Sequence, residues 1–193
     1  MTCTITRKKD QKESVWSGGK TRELFIYPAY SSYSGRNFSV RISSATVEED
    51  PSVFTSLSGF HRILMPLSGT MKLTFDGRKE ALIKPYEPVE FEGGWNTVSF
   101  GKCTDIGIML SHGWTGSLSA AGPGEYKYKE GFIGVYALSD STDVSVKTRG
   151  ENFPVSLGQG DFLLVKTDEG EITLTLSTTR PYGAVIARAW PVI

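Results

Sequence analysis

The chain has 193 residues, with 21 Lys and Arg against 21 Asp and Glu, so its formal net charge at pH 7 is zero. This length suits one large domain or two small ones with a core that needs no disulfide, and a balanced charge without a basic block argues against a nucleic-acid-binding protein. With 2 His and 2 Cys far apart, the sequence lacks the ligands of a zinc finger or a three-histidine metal centre.

The first thirteen residues are polar and charged, without the apolar region of a secretory signal. No later segment has the length and apolarity that a membrane-spanning helix requires. Cys3 lies in this start, which we expect to be disordered, and Cys103 has no neighbouring His or CxxC pattern that would indicate reactivity. These features predict a cytoplasmic protein with reduced cysteines and no membrane association.

Short runs rich in β-branched and aromatic residues alternate with Gly, Pro and Asp turns along the whole chain. The predicted strands lie at 24–27, 38–47, 62–67, 71–75, 98–100, 106–110, 134–138, 144–147, 162–165, 171–176 and 184–189. No segment shows a long 3.6-residue period, and residues 53–60 are the best candidate for a helical turn. Many strands at even spacing predict an all-β sandwich or barrel.

Two stretches share one order of elements: hairpin, Gly turn, strand, acidic turn, strand. Their glycines, Gly77 and Gly150, are 73 residues apart, and their acidic residues, Glu87 and Asp161, are 74 apart. An all-β chain can produce this order by chance, but agreement at both turns favours two copies of one β-unit. We therefore divide the chain into an N-terminal half at 1–116, a linker at 117–124 and a C-terminal half at 125–193, whose last strands can pack with the first half.

The repeated unit resembles one half of a cupin, a double-sheet jelly roll that holds a small ligand between its sheets. This resemblance implies an all-β, RmlC-like jelly roll made of two stacked cupin-like β-barrel halves, which is a bicupin. Enzymatic cupins usually present a His-x-His…Glu…His set to a metal, whereas here the matching stretches lack histidine, and His61 and His112 are isolated. We therefore expect neither a metal centre nor another cofactor.

Four segments, in order over residues 14–118, are similar to motifs of the HutD/Ves family. They are WSGGKTREL at 16–24, VRISSATV at 40–47, the block from Phe54 to Gly69, and DIGIM at 105–109. Gly107 stands where the family frequently has Asn, and the C-terminal third matches only by its cupin pattern. The resemblance implies a metal-free bicupin that binds a small carboxylate of histidine utilisation, such as formate, formylglutamate or urocanate, and restrains that pathway.

The strand at 38–47 provides the first candidate for a carboxylate pocket. Alternation places Arg41 on one face together with the small residues Ser39, Ser43 and Ala45. A guanidinium matches a carboxylate through two parallel hydrogen bonds, and small neighbours leave space for a ligand. The pattern alone fits an exposed face with a surface Arg equally well; the resemblance favours a pocket wall.

Further charged residues could complete this pocket. Arg62 begins an apolar strand, so its guanidinium lies either at the barrel rim or buried against a partner. Glu23 shares a face with Thr21 and could hold Arg41 or Arg62 in place, although a surface charge is the more common fate of Glu. Asp105 could be an inward partner of an Arg. We also expect Arg22, Arg41 and Arg62 to converge on one anionic ligand.

The turn at 16–19 admits two interpretations. Backbone N–H groups of Gly18 and Gly19 could approach an anion while Trp16 covers it, but spacing alone favours a tight turn anchored by a core Trp. No residue is assigned a catalytic or metal-binding role. The candidate ligand-binding residues are Trp16, Gly18, Gly19, Thr21, Glu23, Arg41, Ser43, Arg62 and Asp105.

Three functions remain open at this point. The leading interpretation is a non-enzymatic binder of a small carboxylate, acting as a sensor or governor. The second is a metal-free cupin enzyme, such as an isomerase, epimerase or lyase, with His61, Tyr86 and Glu87 as its available acid–base groups. The third is a structural or partner-binding β-protein without a ligand. Hydrophobic edge strands also allow a homodimer.

Overall fold

The structure is a computed structural model, and it describes residues 1–77, 79–167 and 170–192. In chain order the strands are β1 (Thr2–Thr6), β2 (Lys12–Trp16), β3 (Gly19–Tyr27), β4 (Val40–Val47), β5 (Ser52–Val53), β6 (Phe60–Ser68), β7 (Met71–Phe75), β8 (Lys79–Ile83), β9 (Val89–Glu92), β10 (Thr97–Phe100), β11 (Cys103–Ser111), β12 (Trp114–Ala121), β13 (Gly124–Tyr128), β14 (Gly131–Ala137), β15 (Thr142–Lys147), β16 (Asn152–Leu157), β17 (Phe162–Thr167), β18 (Ile172–Thr178) and β19 (Ala184–Pro191). Within the described ranges the only helical element is a 3₁₀ turn at Lys8–Asp10. These ranges contain no helix that is long and apolar enough to cross a bilayer.

The chain forms two compact units. Lys12–Leu118 makes up the N-terminal unit, and Met1–Gln11 joins Ser119–Pro191 in the C-terminal unit. The first eleven residues therefore belong with the second half of the sequence, which the predicted boundary at 116 does not anticipate. The segment predicted as a linker, 117–124, lies mostly in strands, because β12 continues to Ala121 and β13 begins at Gly124.

The N-terminal unit has a six-stranded sheet of order β2-β3-β4-β11-β6-β9 and a four-stranded sheet of order β5-β10-β7-β8. The paired strands within each sheet are antiparallel. Alternating apolar side chains from both sheets form a core, since each strand turns every second residue inward. The buried members of this core are Val47, Phe54, Leu64, Met71, Leu73, Phe75, Ile83, Phe91 and Cys103.

Residues 53–60 do not form the helical turn that the sequence suggested. Val53 ends the short strand β5, and the chain then runs without regular structure to a turn before β6. The backbone N–H of Phe54 donates to the carbonyl of Thr97, and that of Leu57 donates to Gly93. These long-range hydrogen bonds replace the local ones of a helix and bury the Phe54 ring in the core.

The C-terminal unit is built from a five-stranded sheet of order β1-β17-β14-β19-β12 and a four-stranded sheet of order β13-β18-β15-β16. Its core is almost wholly aliphatic, with Ile133, Val146, Leu163, Val165 and Ile186 among its fully buried members. Each unit therefore combines a larger sheet with a four-stranded one. The expectation of an all-β fold with two cupin-like units is confirmed by this architecture.

Residues near the N-terminus are ordered, contrary to the expectation of disorder. β1 pairs with β17 over five residues, and Cys3 lies opposite Val165. Arg7 donates to the Asp161 carboxylate at 2.7 Å, and the backbone N–H of Lys8 donates to the same carboxylate at 2.9 Å. Although burial alone would raise it, these bonds hold the pKa of Asp161 below its usual value.

The two acidic turns of the sequence repeat have the same local chemistry. The carboxylate of Glu87 accepts a hydrogen bond from the backbone N–H of Lys84, and that of Asp161 accepts one from Gly158. In each turn, the carboxylate accepts a hydrogen bond from the backbone N–H of the residue three positions earlier in the chain. The repeat therefore corresponds to equivalent turns in the two units.

Candidate ligand-binding site

A cavity of about 230 Å³ lies in the N-terminal unit, on the inner face of the six-stranded sheet. Six of the nine predicted site residues line it, and the other three, Glu23, Gly18 and Gly19, do not. The six lining residues are Trp16, Thr21, Arg41, Ser43, Arg62 and Asp105.

The strand register explains why these side chains meet. Met109 of β11 lies opposite Arg41 of β4 on one side and Arg62 of β6 on the other. Two residues along, Gly107 lies between Ser43 and Leu64. Because Gly107 carries no side chain, this second row leaves a gap in the face of the sheet.

Gly107 lines the cavity because it has no side chain, and not because its backbone conformation requires glycine. A methyl group built at this position would approach only the carbonyl oxygen of Ile63, at 3.5 Å, which is an ordinary contact. The space beside it is therefore real free volume. On β4, the small side chains of Ser43 and Ala45 form the adjoining wall of the cavity.

Arg41 is held on three sides. Its Nε donates to Glu23 Oε2 at 2.9 Å, its Nη1 donates to Ser43 Oγ at 3.1 Å, and its guanidinium carbon lies 4.5 Å from the centre of the Tyr33 ring. The side chain is 5% exposed, so the Glu23 carboxylate compensates a buried positive charge. Of the two partners predicted for Glu23, the structure selects Arg41.

Arg62 is held differently, between two aromatic rings. Its guanidinium carbon lies 5.0 Å from the ring centre of Phe54 and 5.1 Å from that of Phe91. Within the described part of the chain it makes no hydrogen bond and no ion pair. Burial lowers the pKa of Arg62 to about 10, so the group remains charged at neutral pH. Because these ring contacts use none of its N–H groups, the hydrogen-bonding capacity of the guanidinium is unused by the described residues.

Asp105 has a buried carboxyl group at the same cavity. The residue is 4% exposed, and the Ser44 hydroxyl donates to its backbone carbonyl at 2.9 Å. No described residue donates a hydrogen bond to the carboxyl oxygens. Burial raises the pKa of Asp105 to about 7, although the charge of Arg62 acts in the opposite direction. Near neutral pH this group is therefore present in both protonation states.

Trp16 covers part of the cavity. Its ring contacts Phe54 edge-on at 6.2 Å between ring centres, and its buried indole Nε1–H has no hydrogen-bond partner among the described residues. Gly18 is buried, and a side chain there would overlap the Trp16 ring. Gly19 has a φ of +152°, and a side chain there would collide with the carbonyl oxygen of Thr46. Both glycines thus permit the tight β2–β3 turn that places Trp16 over the core.

The structure keeps Arg22 away from this site. Arg22 Nη2 pairs with Glu13 Oε2 at 2.8 Å, and both side chains are 39% exposed. The expectation that three arginines converge on one anion is therefore wrong for Arg22. The reason is strand alternation, since Arg22 and Glu23 are neighbours on β3 and point to opposite faces.

The acid–base groups considered for an enzyme do not line the cavity either. His61 is partly exposed and lies 3.0 Å from Glu92 and 3.1 Å from Glu90. These hydrogen bonds outweigh desolvation and raise the pKa of His61. Tyr86 and Glu87 lie in the turn between β8 and β9. Among the residues described, Asp105 has the one carboxyl group at the cavity that lacks a hydrogen-bond partner.

Three aromatic residues of the site were not singled out from the sequence. Tyr33 lies on the face of Arg41, while Phe54 and Phe91 stack on Arg62. Phe54 belongs to a segment that reads as a helical turn, and Tyr33 to a loop. An aromatic residue in a loop gives no signal of which cation it will contact, because the contact is made across strands distant in sequence.

The donor set does not fit a metal ion. The cavity presents two guanidinium groups and one unpaired carboxyl, whereas divalent metals require several neutral or anionic donors. Among the described residues no group of three or more His, Cys, Asp or Glu is close enough to hold a metal. The arrangement instead provides a positive edge, hydroxyl groups and one titratable acid, which suit a small organic anion.

Each β-unit pairs a larger sheet with a four-stranded one, and solved cupins match this fold. A variant of oxalate decarboxylase from Bacillus subtilis has a TM-score of 0.66 and 8% identity, over 97% of this chain and 76% of that one. The pirin YhhW from Escherichia coli in complex with nickel(II) has a TM-score of 0.64 and 10% identity, over 100% of both chains. At these identities the likeness shows the fold alone.

The chain belongs to the HutD family, whose model matches residues 8–182. HutD from Pseudomonas fluorescens, solved in a formate condition, has a TM-score of 0.78 and 21% identity over 100% of both chains. A conserved protein of unknown function from Pseudomonas aeruginosa has a TM-score of 0.84 and 20% identity, over 98% of this chain and 99% of that one. No relative with a curated description matches. The family predicted from residues 14–118 is confirmed, and the match extends through most of the C-terminal unit.

Proposed function

We propose that this protein binds a small carboxylate in the N-terminal cavity and acts without catalysis, as a cytoplasmic sensor or governor linked to histidine utilisation. The observation that carries the proposal is the Arg62 guanidinium, which lines the cavity, contacts two rings and makes no ion pair or hydrogen bond with any described residue. Family membership supports the link to histidine utilisation, and the formate condition of the Pseudomonas fluorescens structure is compatible with a carboxylate ligand.

The electrostatics of the cavity favour an anion at Arg62 rather than at Arg41. Arg41 already has its counter-charge in Glu23, at 2.9 Å. Arg62 is partly buried and has gained only ring contacts, which are worth about 0.5–2 kcal/mol each. A carboxylate that binds its free edge bidentately would supply the missing charge in a poorly hydrated site, where such bonds are strongest.

The size of the cavity is also informative. A volume of about 230 Å³ is larger than formate requires, so the cavity has room for formylglutamate or urocanate. Its walls combine apolar residues with few polar groups, as is typical of sites for small metabolites. We infer that formate would fill only the end of the cavity near Arg62.

Thermal-shift and calorimetric titrations with formate, formylglutamate, urocanate, histidine and glutamate test the proposal. At a ligand concentration one hundred times Kd, linkage adds about 2.7 kcal/mol to the free energy of unfolding, which is a measurable rise in Tm. We expect at least one carboxylate to produce this rise, and Arg62→Met to abolish it. The matched control is Arg22→Met, which removes an exposed Arg with its own partner Glu13. No shift with any of these carboxylates at millimolar concentration overturns the proposal.

One observation favours a second candidate, a metal-free isomerase, epimerase or lyase. Asp105 is a buried acid whose pKa of about 7 suits a general acid or base. The acid–base group of such an enzyme would then be Asp105, and not His61, Tyr86 or Glu87. Proton NMR of each bound carboxylate in D₂O would reveal turnover or deuterium exchange, and Asp105→Asn would abolish it.

A further inference from the structure

The inner face of the six-stranded sheet has a positive end and an acidic end. Arg41 and Arg62 flank Met109 at one level of β11, and Asp105 lies on the same face four residues earlier. Four residues of extended chain span about 13 Å between Cα atoms. Gly107, midway between them, leaves the intervening surface free of side chains. A ligand bound to Arg62 can therefore extend along β11 toward Asp105.

No side chain that faces Asp105 supplies the hydrogen bond its carboxyl lacks. Arg41 is committed to Glu23 and Ser43, and Arg62 affects Asp105 only through its charge. The thiol of Cys103, two residues away on the same strand, stays neutral because burial and the charge of Asp105 raise its pKa to about 12. The acceptor capacity of the Asp105 carboxyl is therefore unused by the described residues.

An unused acceptor in a buried site is costly unless a ligand or a proton satisfies it. A ligand that carried only a carboxylate would add a second negative charge to the cavity, which would require a proton on Asp105. A ligand with an N–H or O–H group at its other end would satisfy the ionised carboxylate directly. The two cases predict opposite responses to the loss of the Asp105 charge.

We propose that Asp105 determines ligand specificity: the cavity takes a small carboxylate with an N–H or O–H donor at its far end, and Asp105 accepts that donor. This inference rests on the proposed binding of a carboxylate at Arg62. It goes further by naming the chemistry required at the second end of the ligand. Simple carboxylates without a donor bind more weakly and only with proton uptake.

Calorimetry with matched pairs of carboxylates tests this inference on the wild-type protein. 5-Hydroxypentanoate is compared with hexanoate, in which a methyl group replaces the hydroxyl, and urocanate with cinnamate, which lacks the ring N–H. We expect the donor-bearing member of at least one pair to bind about tenfold or more tightly at pH 8, because a polar site discriminates strongly against ligands that leave its groups unpaired. Between pH 6 and 8, the affinity for hexanoate should fall, and that for 5-hydroxypentanoate should hold or rise.

Variants at Asp105 then assign the preference to this residue. Asp105→Leu, which has a similar shape and no acceptor, should reduce the preference within each pair to about twofold or less. Asp105→Asn, which keeps a neutral acceptor, should remove the pH dependence and bind hexanoate at least as well as the wild type. The control is Glu80→Gln, which neutralises an exposed carboxylate paired with Lys72 and should change neither property.

The outcomes separate this inference from the proposed function. If carboxylates bind and require Arg62, but the wild-type protein shows no preference for donors in either pair, the role of Asp105 is refuted and carboxylate binding stands. A preference that survives in a folded Asp105→Leu protein also refutes it. If none of the four compounds nor formate binds, the proposed function is refuted and this inference with it. Because the wild-type preference needs no variant, misfolding of either substitution leaves the test decisive.

Discussion

Arg41 and Arg62 face one cavity from opposite sides of Met109, yet only Arg41 has a carboxylate partner within the described residues. Glu23 lies on β3, beside β4, and its carboxylate reaches Arg41 on that neighbouring strand. Arg62 lies two strands farther along the sheet and packs against Phe54 and Phe91 instead. The same residue type therefore has a structural function in one place and is free to bind an anion in the other.

The two arginines should respond differently to neutral replacement in the absence of ligand. Arg62→Met removes an unpaired, desolvated charge and keeps the apolar stem, so we expect the free energy of unfolding to be unchanged or raised by about 1–2 kcal/mol. Arg41→Met leaves Glu23 without its partner and should cost about 2–3 kcal/mol, less than for a fully buried pair because Glu23 is 20% exposed. Urea unfolding followed by circular dichroism measures both. Equal destabilisation by the two substitutions would contradict this division of roles.

Asp105 should make the unliganded protein less stable as pH rises. Its folded-state pKa, about 7, lies above the ordinary value of 3.8, so between these pH values the folded state binds more protons than the unfolded state. The contribution of Asp105 to the free energy of unfolding is fully present below pH 4. It is lost as pH rises toward 7, by up to about 4 kcal/mol in total. The difference in unfolding free energy between the wild type and Asp105→Asn, measured from pH 5 to 8, isolates the effect. A difference that stays constant over that range would show that Asp105 titrates normally.

Asp161 should show the opposite dependence on pH. Its pKa lies below 3.8 in the folded state, so its contribution is present above pH 4 and is lost as acid protonates the folded protein. Asp161→Asn weakens the bonds to Arg7 and to the backbone N–H groups of Lys8 and Gly158, and we expect a cost of about 1–3 kcal/mol at pH 7. Hydrogen exchange should accelerate in β1, which these bonds help to hold. Unchanged protection of β1 would assign its stability to pairing with β17 alone.

Gly107 should control the volume of the cavity without being needed for folding. Gly107→Ala introduces a methyl group with ordinary contacts, and we expect stability to hold or rise by about 0.5–1 kcal/mol, since Gly is disfavoured in strands. Gly107→Leu should fill the gap between Arg62 and Asp105 and weaken carboxylate binding tenfold or more while the protein stays folded. Calorimetry on both variants, with melting curves as the folding control, measures the effect. Full affinity in Gly107→Leu would place the ligand elsewhere.

Alternation in the sequence was sufficient to group residues on one face of β4, whereas the family resemblance was needed to favour a cavity wall over an exposed face. Arg41, Ser43 and Ala45 were expected to share a face, and all three line the cavity. The sequence also identified the strongly apolar strands and the two acidic turns. These features depend on residues close together in the chain, so a period of two and a local hydrogen bond are enough to reveal them.

The strands that sequence analysis missed are mainly polar ones. All residues of β2 from Lys12 to Val15 are exposed, and β13 buries none of its residues fully. Such strands are held by pairing on one side and are solvated on the other, so they show no inward apolar pattern. The order of residues 2–6 likewise depends on β17, more than 150 positions away.

By itself, the sequence determined the fold class and the residue types available to a site, because these depend on local pattern and composition, and four of its motifs resembled those of the HutD family. Only the tertiary structure decided which arginine has a partner. Strand register places Glu23 opposite Ser43, two residues from Arg41 on the same face of β4, and a register shift follows between Glu23 and Phe25. The rings that stack on Arg62 come from a segment without regular structure and from an edge strand. Contacts of this kind depend on the packing of residues distant in sequence, so neither periodicity nor spacing can predict them.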